Sequence, residues 1–137
     1  MKVRLMCDLT KYDPNLVEGV IGTAREDKIT YTDWEEELVE VKFPNADALP
    51  IAWRSLEKLD KKFWFDRERD IKQAVKIIYV QGPRGGFKWL RIYSNDRSKN
   101  ERIYTTTIKH DAEKLLEFAK HYNKEITREI YRNNKEW

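Results

Sequence analysis

The spacing of apolar residues changes period three times along the chain. Val39, Val41 and Phe43 alternate with Glu40 and Lys42, the period of two that puts one strand face in a core. Leu38 alone breaks that parity. Short runs bounded by turn residues predict strands over 3–7, 17–23, 37–43 and 49–53, with breaks at Asp13-Pro14, Gly19, Gly22 and Pro44-Asn45. Between 55 and 72 the period lengthens. Leu56, Leu59, Phe63 and Ile71 fit a helix, and Ser55 is placed to cap it. Phe63, Trp64 and Phe65 cannot all share one side of that helix, so one of them is expected to anchor the connector.

Period two then returns, predicting strands over 73–80, 87–94 and 102–108. The last change is the strongest: Ala112, Leu115, Leu116, Ala119, Tyr122, Ile126 and Ile130 recur every three or four residues. They predict a helix over about 111–131 that covers a sheet, with Asp111 as its cap and a frayed tail over 133–137. The fold class is therefore α+β, in two parts. Residues 1–60 form a small barrel; residues 61–137 hold the connector helix and a β-β-β-α subdomain.

The first part resembles Src-homology-3-like and KOW-type barrels. The carrying residues are Gly19-Val20-Ile21-Gly22, Val39-Glu40-Val41-Lys42-Phe43, and Leu49-Pro50-Ile51-Ala52-Trp53 leading into Leu56. Such a resemblance implies an adaptor that binds peptides, nucleic acids or larger machines. Residues 101–124, with Ile-Tyr-Thr-Thr-Thr-Ile running into an amphipathic helix, resemble the end of bacterial pleckstrin-homology-like domains and of Whirly-like single-strand binders. The first implies a protein or lipid-headgroup adaptor, the second a nucleic-acid platform. The overall organisation is similar to small accessory proteins of bacteria and their viruses that bind and inhibit a larger target.

Charge divides the same way. Residues 1–60 carry eight Lys and Arg against thirteen Asp and Glu, a balance of −5, whereas 61–137 carry nineteen against eleven, +8. A basic half attracts phosphates or acidic protein surfaces. Asp33, Glu35, Glu36, Glu37 and Glu40 form an acidic cluster, but without the alternating acidic spacing of a calcium loop they read as a solvated hairpin tip. His110 and His121 are eleven residues apart, too far for joint metal ligation, and read as surface or capping residues. The single Cys7 allows no internal disulfide and reads as a small strand residue. No apolar run approaches the ~18 residues of a membrane span, so the expectation is a cytoplasmic protein without membrane contact, cofactor or metal. No catalytic constellation is present in the pattern, and a binding protein rather than an enzyme is expected.

The candidate contact chemistry lies in 81–93. Gly82-Pro83-Arg84-Gly85-Gly86 lacks the Gly-x-x-x-x-Gly-Lys-Ser/Thr spacing and the following helix of a nucleotide-binding loop; it reads first as a hairpin needing positive φ, and second as an anion cradle. In the strand after it, parity sends Phe87, Trp89, Arg91 and Tyr93 one way and Lys88, Leu90 and Ile92 the other. If the helix covers the aliphatic side, Trp89, Arg91 and Tyr93 face outward, joined by Tyr79 or Tyr104 from neighbouring strands. Aromatics interleaved with arginine suit single-stranded nucleic acid, where bases stack on rings and guanidinium groups meet phosphates. The candidate binding residues are Arg84, Gly85, Gly86, Lys88, Trp89, Arg91, Tyr93 and Tyr104. The rival reading makes the same aromatics a hot spot for a protein partner, which a regulator or inhibitor would use; packing on a second subunit, hence a homo-oligomer, is a variant of it. A small anionic ligand under the turn is the third.

Overall fold

The computed structural model describes residues 1–33, 36–94 and 102–131, and in them the alternation of the first half becomes a five-stranded antiparallel sheet. Strands β1 (Lys2–Leu5), β2 (Ile21–Tyr31), β3 (Glu37–Lys42), β4 (Leu49–Ala52) and β5 (Leu56–Lys58) lie in the order β4-β3-β2-β1-β5. Val39, Val41 and Phe43 are fully buried with Val3, Leu5 and Leu56, so the alternating face is the core face. A 3-10 turn over Trp53–Ser55 joins β4 to β5. Pro50 sits on the outer strand β4, where a missing N–H removes a point of edge-to-edge pairing.

Three expectations for this half need correction, the first being Cys7, which lies in a bend past the end of β1 rather than in a strand. Strand β2 begins at Ile21, not at residue 17, and runs eleven residues to Tyr31. Val17–Val20 is instead a turn, closed by the Val20 amide donating to the Val17 carbonyl and by Gly19 at φ 95°. The missed length, 24–31, is charge-rich and, apart from buried Ala24 and half-buried Ile29, exposed, so it carries no regular apolar alternation; a register shift between Arg25 and Ile29 disrupts its pairing with β3. Ser55 caps no helix. It ends the 3-10 turn, and Leu56 enters β5 and the core.

Helix α1 spans Lys61–Gln73, with Asp60 accepting the Phe63 amide at 3.1 Å as its N-terminal cap. The division between two compact units, Met1–Phe63 and Trp64–Trp137, falls within its first turn. The three consecutive aromatics part company there. Phe63 lies 5.5 Å from the Lys58 ammonium, Trp64 meets Phe118 edge-on at 6.3 Å, and Phe65 is exposed.

The second unit is a four-stranded sheet with α1 and a second helix packed into one core on one of its faces. Strands β6 (Lys76–Gln81), β7 (Phe87–Tyr93) and β8 (Arg102–Thr106) precede helix α2 (Lys109–His121), and β9 (Thr127–Ile130) follows it. The sheet order is β8-β7-β6-β9, antiparallel except for β9, which runs parallel to β6. Ile71, Ile77, Leu90, Ile92, Ala112, Leu115 and Ala119 form the buried core between sheet and helices. The architecture is α+β, with two separate sheets, and no described helix is long and apolar enough to cross a membrane.

The long helix predicted over 111–131 is corrected to thirteen residues. Asn123 adopts φ 54°, and the Lys124 and Asn123 amides donate to the Ala119 and Lys120 carbonyls at 2.8 and 3.2 Å. That paired closure around a left-handed residue terminates the helix. Ile126 and Ile130 therefore leave the helical stripe; Ile130 belongs to β9 and is exposed. Asp111 is also not the cap. The helix starts two residues earlier, with Ile108 at the cap position, and Asp111 lies buried in the first turn. The expected fraying at 133–137 lies outside the described residues, as does Glu101.

Candidate functional site

The glycine-proline segment forms a tight hairpin between β6 and β7. Gly85 donates to the Gly82 carbonyl at 2.9 Å and Gly82 to the Gly86 carbonyl at 2.7 Å, with Pro83 leading the turn and Gly85 at φ 84°. Proline pre-sets the first turn residue, and glycine accepts the left-handed position that ends a three-residue hairpin loop. Gln81 fastens the turn by donating from Nε2 to the Gly85 carbonyl at 3.1 Å. With the Gly82 and Gly85 amides occupied inside the turn, its outward chemistry is that of side chains. Arg84 and Lys88 are exposed and have no ion-pair or hydrogen-bond partner among the described residues. They border a cavity of about 280 Å³ whose other walls are Gly82, Pro83, Gly86 and Phe87.

Beyond the turn, β7 sorts its side chains between two environments. Leu90 and Ile92 are fully buried beneath the helices, while Trp89, Arg91 and Tyr93 are half-buried on the opposite face. Phe87 does not join them. The β6 pairing slips between Val80 and Gln81, which leaves Lys88 as an extra residue, and this bulge turns Phe87 onto the helix side, 5.2 Å from Tyr79. Tyr79 is buried there as well.

Tyr104 is the second departure. It pairs with Ile92 and so shares the helix-covered face, where the Arg67 guanidinium stacks on its ring at 4.2 Å. Arg67 is held in turn by Asp70, Nε to Oδ2 at 2.8 Å, and both are largely buried. Asp111 lies close enough for its charge to act on Tyr104, and His110 Nε2 is 3.6 Å from Asp111 Oδ1. Burial first, and the Asp111 charge second, push the Tyr104 hydroxyl from the ordinary 10.0 up to about 12, against the opposing pull of Arg67. The folded protein thus holds this proton more tightly than the unfolded chain. Its contribution to stability is complete below pH 10 and is lost as pH rises from 10 through about 12. Phenolate absorbance titration should therefore show a late-ionising tyrosine that Tyr104→Phe removes, together with part of the alkaline loss of stability. A titration identical in the two proteins would contradict this placement.

Cross-strand register completes the face that carries Trp89. Tyr93 lies between Lys76 of β6 and Arg102 of β8; Arg91 lies between Ile78 and Thr105, and Trp89 pairs with Val80. Lys76 and Arg102 are exposed and, like Arg84 and Lys88, have no anionic partner among the described residues. Tyr131, just past β9, meets Trp89 edge-on at 5.2 Å. Of the candidate residues, the structure thus groups Trp89, Arg91 and Tyr93, adjoins Arg84, Gly85, Gly86 and Lys88 at the turn, and separates Tyr104. Lys76, Arg102, Thr105 and Tyr131 went unread in the sequence. Only Lys76 and Tyr131 had a signal available, as polar or aromatic ends of short apolar runs.

Two residues of the first unit's acidic cluster are engaged with local cations. Glu36 pairs with Arg54 at 3.1 Å, and Glu40 lies 3.7 and 3.9 Å from Lys28 and Arg25. Glu35 lies outside the described residues. Searched against protein-family models, curated proteins and solved structures, the chain matches none of them.

Proposed function

We propose that this is a binding protein rather than an enzyme, and that its second unit takes single-stranded nucleic acid on the sheet face turned away from α1 and α2. The observation that carries this reading is the cross-strand row Lys76–Tyr93–Arg102, adjoining Trp89 and Arg91, with Arg84 and Lys88 at the strand's turn end. Cations without partners among the described residues are available to phosphates, and the two rings lie among them as stacking surfaces. The first unit fits a Src-homology-3-like barrel in its strand order β4-β3-β2-β1-β5 and in the 3-10 turn between β4 and β5. In this reading it serves as the adaptor half.

The test is a salt series with labelled single-stranded oligonucleotides. Affinity is expected to fall steeply with salt, and Arg84→Ala/Arg91→Ala is expected to flatten the log-log slope by about 1.4, near 0.7 for each phosphate that is no longer neutralised. No binding at low salt, or an unaltered slope in the double variant, removes this site. A second reading has its own observation: Ile130 and Tyr131 are exposed at the outer strand β9, and Tyr131 meets Trp89, a Trp, Tyr and Arg composition suited to a protein partner's hot spot. Saturable capture of one protein that Trp89→Ala abolishes, with no oligonucleotide binding, would favour it.

A further inference from the structure

Arg91 folds over its neighbour rather than reaching out from the sheet, its guanidinium carbon 4.5 Å from the centre of the Trp89 ring. That posture strands two polar atoms. Arg91 Nε and Thr105 Oγ1 are both closed off from solvent, and neither makes a hydrogen bond to a described residue. Antiparallel register sets these two residues opposite each other, so their side chains leave the same face of the sheet. Buried donors almost always find acceptors, and two unmet groups on one face are what a site awaiting another molecule's acceptor would show. The stack on Trp89 is opposed by these unmet groups, which leaves the guanidinium free to exchange one partner for another.

We propose that this is the empty posture of a nucleotide site, in which base and phosphate are taken together by one side-chain rotation. The inference rests on the single-strand reading above and specifies its ligand. When Arg91 swings off the indole, its Nε and terminal nitrogens donate to a phosphate oxygen, and the Thr105 hydroxyl beside it donates to the same group. The face of Trp89 that the guanidinium covered then accepts a base. Tyr131, at 70° to the indole, braces the ring edge-on throughout. A polyanion without rings offers only the phosphate half, and an apolar peptide only the ring half. The site is matched to a nucleotide unit carrying both.

The deciding measurement is NMR of the Arg91 Nε–H in the full chain, its resonance assigned by its disappearance in Arg91→Lys. In the free protein, with the guanidinium over the indole, that proton is expected to be displaced upfield by the ring. Single-stranded oligothymidylate is expected to abolish the displacement, whereas inorganic polyphosphate at equal phosphate concentration leaves it in place. Thr105→Val is expected to weaken oligothymidylate binding roughly three- to tenfold without changing the salt slope, since it removes a hydrogen bond and no charge. If oligothymidylate binds while the Arg91 signal stays where it was, if polyphosphate moves it equally, or if Thr105→Val binds as tightly, the nucleotide inference fails and the single-strand reading stands. If oligothymidylate does not bind at low salt, both fail.

Discussion

Replacing Leu115 by alanine is expected to destabilise the second unit by about 3–5 kcal/mol, the upper part of the range for buried leucines. Leu115 is fully buried in the core that α2 forms over β7. How much such a truncation costs depends on how far the surroundings collapse into the hole, and here they are poorly placed to do so. The fully buried neighbours on the same helical stripe are Ala112 and Ala119, both ending at Cβ, so the longer side chains of the helix, Phe118 and Leu116, would have to move in from the core's margin. Leu90 and Ile92 below are fixed by strand pairing. Leu116, one residue along, is only half-buried at the core's margin, so Leu116→Ala is expected to cost about a third as much. Amide exchange across β6, β7 and α2 during denaturant titration gives both values. Equal losses for the two variants would mean that the core is not organised around Leu115.

In the first unit the largest effect is expected from adding a single carbon. A Cβ on Gly22 would stand 2.6 Å from Phe43 Cδ1 and 2.8 Å from the Lys42 carbonyl oxygen. Neither neighbour can easily give way: the Phe43 ring is fully buried, and Lys42 is paired in β3 opposite Thr23. Gly22→Ala is therefore expected to cost about 2–3 kcal/mol through overpacking and to separate β2 from β3 at this end. The same crowding predicts a partial rescue. In the Phe43→Leu background the alanine should cost less than in the parent, and a thermal-unfolding double-mutant cycle reads the coupling. Strict additivity would rule out the ring as the obstacle. Gly22 thus serves the close approach of two strands, a purpose that its sequence neighbours do not disclose.

What could be read from the chain, and what could not, follows from the reach of each interaction. Alternation within one strand is local, so Val39, Val41 and Phe43 and the burial of Leu90 and Ile92 were legible from period two alone. Register between strands is not local. Tyr104 could be placed only once β8 was paired with β7, and the connection between them is too long for turn chemistry to fix that pairing. Phe87 defeated parity because a bulge adds one residue and reverses every side chain beyond it. The end of α2 was signalled by Asn123, a residue that tolerates left-handed backbone, but Ile126 and Ile130 continued the apolar spacing and masked it. Thr105 and Arg102 join the candidate face through pairing across strands, which single-strand patterns do not carry.

The parallel strand β9 also has a kinetic consequence. Its pairing joins Ile78 to Thr127 and Gln81 to Ile130, residues far apart in sequence, whereas β6, β7 and β8 pair with sequential neighbours. Contacts of such long separation close large loops, whose entropy cost must be met before the contacts return anything, so they are expected to form late. The hairpins and α2 can therefore assemble before β9 docks. Until it does, the β6 edge is open and Trp89 stands without Tyr131 against its ring, so the border of the candidate face is the last part of the second unit to be made.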